Sequence, residues 1–376
     1  MFSQQSRPLL RWTGQEDGIK NVTIEERPIP QIGTKDILVK NLRAGICGSD
    51  TGAWLHGGEP TGIFPGQQFG HEAVSQVVEK GSEVGDDINI GDIVFIDPAT
   101  ASKAGLIMAD MIGAFSQYLK VEDAKVNYNV YPLGKDVDLD AAVLIEPLSV
   151  GTKGAVCTNP ALTDHVVVLG AGTIGLSAAA GLIARGMKDV CVVDRDPWRL
   201  SIAKELGALT IDTSVEDMNA KLIEYFGPAP AGNIHMEYMD KALVNQFIEF
   251  MKKANMLTGK QAPNVDLYVD AAGAAPLLQE CFNSAKHGTK YSIVAVYGKM
   301  LEFAGGNFIR NEPVVRGSTA YDHAIITEVI DHIIKQKTPI KKIVTAKFRL
   351  DDFAEAIDTA SKADHNIKVI IDYEIE

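Results

Sequence analysis

Short apolar runs alternate with stretches of helical spacing through the second half of the chain. Between residues 165 and 318 the runs are rich in valine, isoleucine and leucine, and amphipathic segments separate them. Strands that alternate with helices in this way are typical of a doubly wound parallel sheet, so we predict an α/β fold here. The predicted strands are Val166–Leu169, Val190–Val193, Leu209–Asp212, Val265–Asp270, Tyr291–Val296 and Val314–Ser318.

The first 125 residues have a different pattern, in which short strand-like runs are separated by glycine and proline. This pattern predicts a β-rich domain, and the glycine-rich segment 44–69 is predicted to be loop. Leu139–Val156 is the first predicted helix. The tail adds helices at about 322–336 and 351–361 and a last strand at Ile367–Tyr373. The strands predicted in the first domain are Asp36–Asn41, Ala73–Val78, Gly91–Ile96 and Phe115–Val121.

The most specific pattern lies in Val166–Asp194. A strand is followed by the spacing G-x-G-x-x-G, a helix, and a second strand that ends at an acid. In such a turn the first glycine makes the bend, the second lets the backbone approach a pyrophosphate, and the third lets the helix pack on the strand. The pattern therefore predicts a dinucleotide site. Its expected residues are Gly170, Gly172, Thr173, Ile174, Gly175 and Asp194.

The acid at the end of the second strand bears on which dinucleotide binds. A carboxylate at Asp194 accepts hydrogen bonds from the ribose hydroxyls and repels the 2′-phosphate of NADP, so we expect NAD. Arg195 follows directly and leaves a second interpretation open, since it could stack on adenine or tolerate a phosphate. The uncharged run Val166–Ala184 is nearly long enough to span a bilayer, but its glycines favour a buried strand followed by a crossover helix.

Composition excludes several classes of partner. The 376 residues carry 36 Lys and Arg against 49 Asp and Glu, a net charge of −13, which disfavours nucleic acid and anionic membranes as partners. The N-terminus has no apolar signal-like segment, and the four scattered cysteines form no C-x-x-C pair. We therefore expect a cytoplasmic protein.

Three residues that can bind metal stand far apart in the sequence. Cys47, His71 and Glu146 offer a thiolate, an imidazole and a carboxylate, which together suit tetrahedral Zn²⁺ with one open position. The spacing alone is weak support. A buried thiol, a core histidine and a helix N-terminal acid would explain the same residues without a metal.

The order of several motifs resembles the zinc-containing medium-chain alcohol dehydrogenases. The motifs are AGICGSD, FGHE, GDIVF, GAFSQYLKV, IEPLSV, GAGTIG and IKVII, and the resemblance is strongest to the branch of sorbitol, butanediol, threonine and archaeal glucose dehydrogenases. It implies a GroES-like domain at 1–155, a Rossmann domain at 156–318, and a return to the first domain at 319–376. It also implies an oxidoreductase that uses zinc and NAD and forms a homodimer or homotetramer.

The resemblance assigns roles to individual residues. Cys47, His71 and Glu146 would bind one catalytic zinc, and Glu72 would ligate it or lie beside it. Ser49 would hydrogen-bond the substrate alcohol, and Asp50 would orient a ligand. In the cofactor site, the resemblance implies contacts to the carboxamide from the turn Val296–Gly298 and to the pyrophosphate from Lys368. The further residues expected at the cofactor are Arg195, Ala272, Val296 and Gly298.

Two departures from the family pattern matter. The interval 97–114 lacks the cysteines of a structural zinc lobe, so we predict no structural zinc. The histidine that ends the family's proton relay is replaced by Gly52; His56 is close in sequence, although a loop histidine is commonly just solvated.

The residue at the third zinc-ligand position, Glu146, indicates the substrate class. A glutamate at this position favours a polyol, sugar, vicinal diol or amino alcohol, whose secondary alcohol would be oxidised to the carbonyl. Two alternatives stay open: a zinc-free quinone or enoyl reductase of the same superfamily, and a non-catalytic NAD-binding protein.

Overall fold

The chain divides into two compact units in this computed structural model. Unit 1 comprises residues 1–150 and 321–376, and unit 2 comprises residues 151–320. The domain boundaries expected from the sequence lie a few residues away, at 155 and 318. The structure describes residues 6–12, 20, 22–57, 63, 68–101, 113–230, 240–253, 261–298, 300–303, 305–362 and 364–375.

Unit 2 is built on a six-stranded parallel sheet. Its strands are β8 (Val166–Leu169), β9 (Val190–Asp194), β10 (Leu209–Asp212), β11 (Leu267–Asp270), β12 (Lys290–Ile293) and β13 (Val314–Gly317). Their spatial order is β10-β9-β8-β11-β12-β13. The order of the strands reverses between β8 and β11, as in Rossmann folds that bind a ligand at this point. The α/β class predicted from the sequence is confirmed.

Helices connect these parallel strands. They are α4 (Thr173–Ala184), α5 (Pro197–Glu205), α6 (Met218–Phe226), α7 (Lys241–Lys253), α8 (Ala275–Ser284) and α9 (Gly305–Asn311). Helix α4 packs on β8, β9 and β11 and buries mainly alanine, glycine and leucine. The uncharged run that could have suggested a membrane span is thus β8 and α4, and no described helix is long and apolar enough to cross a bilayer.

Unit 1 holds a seven-stranded sheet and a separate β-hairpin. The sheet order is β14-β15-β3-β4-β5-β7, with β6 also paired to β3. Strands β15 and β3 are antiparallel, so the last strand of the chain joins the sheet that begins with β3. The strands are β1 (Ser6–Trp12), β2 (Val22–Pro28), β3 (Ile37–Gly45), β4 (Glu72–Lys80), β5 (Ile93–Ile96), β6 (Tyr118–Val121), β7 (Val130–Pro132), β14 (Val344–Phe348) and β15 (Lys368–Asp372).

The helices of unit 1 include one that the sequence did not predict. They are α1 (Gly48–His56), α2 (Leu139–Ala142), α10 (His323–Ile334) and α11 (Phe353–Ser361), while α3 (Ile145–Val156) crosses into unit 2. The predicted loop at 44–69 was wrong over α1. Asp50 accepts a hydrogen bond from the Cys47 backbone N–H at the start of this helix, and Ala53 and Trp54 are buried. A capped and partly buried turn of this kind is stable despite its glycines.

Candidate active site and dinucleotide site

Cys47, His71 and Glu72 meet at one end of the unit 1 sheet. Strands β3 and β4 are antiparallel and pair Gly45 with Glu72, so the residues that follow β3 lie beside those that begin β4. One ligand atom from each of the three residues lies within 4.8 Å of the other two. The topology thus brings together three of the four residues predicted from the sequence as metal ligands.

The Glu72 carboxylate depends on a glycine in the neighbouring strand. A β-carbon placed on Gly45 would lie 2.0 Å from Glu72 Oε2, a distance at which the side chain would have to move. A glycine inside a strand commonly marks such a close approach. Gly45 was not singled out from the sequence, although it precedes Cys47 by only two residues.

Lys368 forms an ion pair with Glu72 of the ligand cluster. The backbone of Ile46 pairs with that of Val369, which brings the first residue of β15 alongside the end of β3. The Lys368 ammonium is buried and donates to both Glu72 oxygens at 2.7 Å and to the Ile46 carbonyl at 3.0 Å. The pyrophosphate contact implied for Lys368 stays a prediction, and the structure shows its ammonium engaged with the ligand cluster of unit 1.

Glu146 is buried near the cluster but is not part of the close group of three. It lies in the first turn of α3, and its side chain is 3% exposed. Burial raises the pKa of Glu146 to about 7, against the opposing effect of His71. The Tyr321 hydroxyl is buried beside this carboxyl, although the two groups do not form a well-directed hydrogen bond. Nothing in the sequence pattern had drawn attention to Tyr321.

Ser49 and Asp50 lie in the first turn of α1, directly after Cys47. Asp50 is fully buried; one of its oxygens accepts from the Cys47 N–H at 2.8 Å, and burial raises its pKa to about 6. The second Asp50 oxygen and the Ser49 hydroxyl are buried without a hydrogen-bond partner among the described residues. The two side chains therefore have unused hydrogen-bonding capacity next to the ligand cluster.

The donor set fits a zinc ion. His71 is 5% exposed, and its Nδ1 has no partner among the described residues. Burial lowers the pKa of His71, but the neighbouring Cys47 and the carboxyls of Glu146 and Asp50 raise it by more. A half-buried thiol together with a buried imidazole and buried carboxylates carries a surplus of negative charge that a divalent cation would balance.

Metal-free protein should lose stability as the pH rises. The folded-state pKa values of Asp50 and Glu146, about 6 and about 7, exceed the usual values for carboxyls, and that of His71 is also raised. At a pH between the unfolded-state and folded-state pKa values, the folded state holds more protons than the unfolded state. The free energy of unfolding therefore falls as the pH rises, here by roughly 2–4 kcal/mol.

Thermal unfolding with a chelator at pH 5.5 and pH 8 measures this change. Zinc should stabilise the protein more at pH 8, because its ligands bind when deprotonated. The Glu146→Gln variant should show a smaller pH dependence, since it cannot titrate at this position. A chelated protein that gains stability towards pH 8 would contradict the prediction.

In unit 2 the glycine turn connects β8 to α4, as predicted. A β-carbon on Gly175 would lie 1.8 Å from the Gly170 carbonyl oxygen, so the helix can approach the strand only with glycine at this position. Gly172 precedes the first residue of α4, whose Thr173 and Ile174 form the first turn. The free N–H groups of such a turn favour a phosphate.

Asp194 ends β9 beside this turn. Its carboxylate accepts from the Ala171 N–H at 2.6 Å and from the Arg195 N–H at 2.7 Å. The Arg195 side chain is exposed, whereas Arg199 Nη1 would lie 3.9 Å from a β-carbon on Gly172. Arg199 is a residue that sequence reasoning missed, since only the fold brings α5 back over the glycine turn.

The other expected cofactor residues lie at the same edge of the unit 2 sheet. A β-carbon on Gly170 would lie 3.1 Å from Ala272 Cα, so the turns after β8 and β11 touch. Val296 and Gly298 follow β12, and Val296 is 95% exposed. Ligands of open α/β sheets bind outside the carboxyl ends of the strands, where these residues lie.

Two family models match this chain. Residues 33–131 match the alcohol dehydrogenase GroES-like domain, and residues 173–335 match the zinc-binding dehydrogenase domain. The first match contains Cys47, His71 and Glu72, and the second contains the α4 turn and Asp194. Glu146, Gly170 and Gly172 lie between the two matched regions.

Whole-length relatives are similar in sequence and in fold. L-threonine 3-dehydrogenase of Alteromonas mediterranea is 23% identical, covering 94% of this chain and 97% of the relative. Sorbitol dehydrogenase of Bacillus subtilis is 25% identical, covering 91% of each chain. The crystal structure of 2R,3R-butanediol dehydrogenase from Bacillus subtilis superposes with a TM-score of 0.77 at 23% identity, covering 98% and 99% of the two chains.

Proposed function

We propose that this chain, which belongs to the zinc-containing medium-chain alcohol dehydrogenase family, oxidises a secondary alcohol of a polyol, sugar or diol to the carbonyl. When bound, zinc acts as a Lewis acid on the alcohol oxygen and NAD accepts the hydride. The observation that carries the proposal is the group of half-buried Cys47 with buried His71 and Glu72, near which Glu146 is also buried.

The residues of the chain would act on the substrate as follows. The metal would be held by Cys47, His71 and Glu146, with Glu72 available as a further ligand. The buried Ser49 hydroxyl would hydrogen-bond the alcohol and take its proton, and Asp50 would keep the ligand cluster oriented through the Cys47 backbone. The buried position of these groups excludes water and strengthens each interaction.

The Tyr321 hydroxyl supports the assignment of a polyhydroxylated substrate. It is a buried donor beside Glu146 with no partner among the described residues, so a second substrate hydroxyl could satisfy it. The relatives named for sorbitol, threonine and butanediol support the same substrate class. A zinc-free quinone or enoyl reductase would have no use for the ligand cluster.

A substrate screen tests the proposed function. Polyols, aldoses, vicinal diols and L-threonine are each incubated with NAD, and NADH formation is followed by absorbance. We expect turnover with at least one of these alcohols and loss of that turnover after metal removal. Turnover that survives complete removal of metal would contradict zinc catalysis, and activity restricted to quinones would favour the reductase.

We also propose one catalytic zinc per subunit and no structural zinc. The chain has four cysteines, and Cys157, Cys191 and Cys281 are buried singly within unit 2. A four-cysteine zinc lobe therefore cannot form from this chain. Metal analysis that finds two tightly bound zinc ions per subunit would contradict this proposal.

Asp194 should make the enzyme prefer NAD. A carboxylate at this position repels the 2′-phosphate of NADP, and we expect kcat/KM with NAD to exceed that with NADP by about a hundredfold, or about 2.7 kcal/mol. Asp194→Ala should lower this ratio at least tenfold, whereas Arg195→Ala should lower activity with NADP more than with NAD. A wild-type preference for NADP would refute the NAD assignment.

We propose a homodimer or homotetramer that uses the exposed edge of the unit 2 sheet. Strand β13 is the last strand in the sheet order, and all four of its residues are exposed. Val314, Val315 and Ile309 expose 52%, 44% and 85% of their surface in this region. Apolar residues on an unpaired edge favour pairing with a second copy. Light scattering that finds only monomers would argue against this assembly.

The cysteines support a cytoplasmic location, which we also propose. All four are free thiols in the structure, and three of them are buried. A reducing compartment preserves such thiols. Fractionation of cells that express the tagged chain tests the proposal.

A further inference from the structure

The strand order of the unit 2 sheet separates the two halves of a bound dinucleotide. Asp194 ends β9, on one side of β8, where it would accept the ribose hydroxyls of the adenosine half. Strands β11 and β12 lie on the other side of β8. A dinucleotide whose pyrophosphate lies at the glycine turn after β8 would therefore present its nicotinamide half to the loops that follow β11 and β12.

These two loops lie against each other. A β-carbon on Gly273, in the loop after β11, would lie 3.3 Å from the Val296 carbonyl oxygen, in the loop after β12. The backbone N–H groups of Val294 and Ala295 both donate to the Asp270 carbonyl oxygen at 3.0 Å. The loop after β12 is thus tied to the end of β11 as far as Ala295.

A side-chain hydrogen bond holds the next part of that loop. Residues 296–298 make no backbone hydrogen bond to another described residue. Instead, the Tyr297 hydroxyl donates to Oδ2 of Asp270. The other oxygen, Asp270 Oδ1, accepts from the N–H groups of Ala272 and Gly273 at 3.1 and 3.2 Å. One carboxylate therefore connects the loop after β11 to the loop after β12.

The surroundings of this hydrogen bond favour a rigid connection. Asp270 is 1% exposed, and the Tyr297 ring is partly buried against the hydrophobic core of unit 2. Burial raises the pKa of Tyr297, and the hydrogen bond to Asp270 adds to this effect, so the hydroxyl keeps its proton and donates at neutral pH. A hydroxyl that donates to a carboxylate forms a stronger bond than one that donates to a neutral group.

The neighbours of Tyr297 in the sequence face the solvent. Val296 is 95% exposed, and Gly298 is also exposed. The inward anchor at Tyr297 therefore fixes the backbone of two exposed residues at the carboxyl edge of the sheet, where ligands of open α/β sheets bind.

We propose that Asp270 and Tyr297 are positioning residues for the nicotinamide half of the cofactor. They hold the loops after β11 and β12 in one arrangement before the cofactor binds, so that binding does not have to order the segment 296–298. A fixed segment also keeps the nicotinamide ring aligned for hydride transfer. This inference rests on the proposed dehydrogenase function and its cofactor.

The test uses two ligands that differ only in the nicotinamide half. NADH contains the ring, whereas ADP-ribose lacks it. Tyr297→Phe keeps the aromatic packing and removes the hydroxyl. We expect the Kd of NADH, followed by fluorescence, to rise about fivefold in this variant, because binding now has to order the segment 296–298. The Kd of ADP-ribose, measured by calorimetry, should stay at the wild-type value.

The matched control is Tyr225→Phe. Tyr225 is partly buried against the same core of unit 2, and its hydroxyl donates to the Thr210 carbonyl oxygen at 3.1 Å. The same substitution there should leave the Kd of both ligands close to wild type. The thermal unfolding midpoint of each variant separates a loss of positioning from a general loss of folding.

Three outcomes would overturn the positioning role: an unchanged Kd of NADH in Tyr297→Phe, an equal rise in the Kd of ADP-ribose, or the same rise for NADH in Tyr225→Phe. A wild-type protein that binds NADH but oxidises none of the alcohols would instead overturn the proposed function.

Discussion

Cys47→Ser should lower kcat/KM for alcohol oxidation by about a thousandfold or more, equivalent to about 4 kcal/mol of transition-state stabilisation. The change removes the one soft ligand from a group whose ligand atoms lie within 4.8 Å of each other. A serine hydroxyl keeps the size of the side chain but is a poor zinc ligand at neutral pH. His71→Ala should have a similar effect, since it removes the imidazole from the same group.

The matched control is Cys157→Ser. This second thiol is buried in unit 2, where its Sγ lies 3.1 Å from the Ser292 hydroxyl. The same substitution there should leave zinc content and kcat/KM close to wild type. A large loss in both variants would point to a general effect of serine on folding rather than to metal binding.

In these variants, measuring dinucleotide binding distinguishes the loss of metal binding from a loss of cofactor binding. The glycine turn and Asp194 belong to unit 2, so NADH should bind to Cys47→Ser with little change in affinity. Zinc measured by emission spectroscopy should fall from one ion per subunit to a small fraction. Normal turnover in a variant that has lost its zinc would refute the proposed mechanism.

The strand, turn and helix of the proposed dinucleotide site were predictable because their signal is local. The strand, the glycine turn and the acid at Asp194 lie within 29 consecutive residues, and each has a distinct backbone or charge requirement. The structure places Gly175 and Asp194 as that pattern requires. Arg199 was missed because its approach to the turn depends on how α5 folds back, which no short motif encodes.

The ligand cluster was predictable only in part. Cys47 and His71 could be named from the sequence, but their meeting depends on the antiparallel pairing of β3 with β4. The environment around them comes from distant segments, namely Lys368 in β15 and Tyr321 before α10. The register between β3 and β15, which are distant in the sequence, is set by tertiary packing, so no short motif could predict the ion pair between Lys368 and Glu72.

The prediction of a loop over α1 was wrong for a different reason. Glycine at positions 48 and 52 lowers helix propensity by about 1 kcal/mol each relative to alanine, which favours a loop in any sequence-based prediction. The hydrogen bond from the Cys47 N–H to Asp50 and the burial of Trp54 outweigh this preference. Tertiary contacts thus decided the conformation of the residues that follow the cysteine.

Lys368→Met should destabilise the metal-free protein by about 3–5 kcal/mol, because it leaves the Glu72 carboxylate buried and unpaired. The side chains of this pair are 3% and 1% exposed, and the ammonium donates to both carboxylate oxygens. Glu72→Gln/Lys368→Met should recover much of the loss, since it removes both charges. The coupling obtained from the four proteins of this double-mutant cycle measures the pair directly.

The pH dependence of this pair has a definite sign. Burial lowers the pKa of Lys368, but Glu72 raises it by more, so the folded-state pKa lies above the usual value. The stabilisation is therefore complete below about pH 10.4 and is lost as pH rises through the folded pKa, and urea unfolding at pH 7 with a chelator measures it in full. Lys362→Met is the control, since its ion pair with Asp358 is exposed and water screens it. Equal losses of unfolding free energy in Lys368→Met and Lys362→Met would show that the buried pair contributes no more than a surface contact.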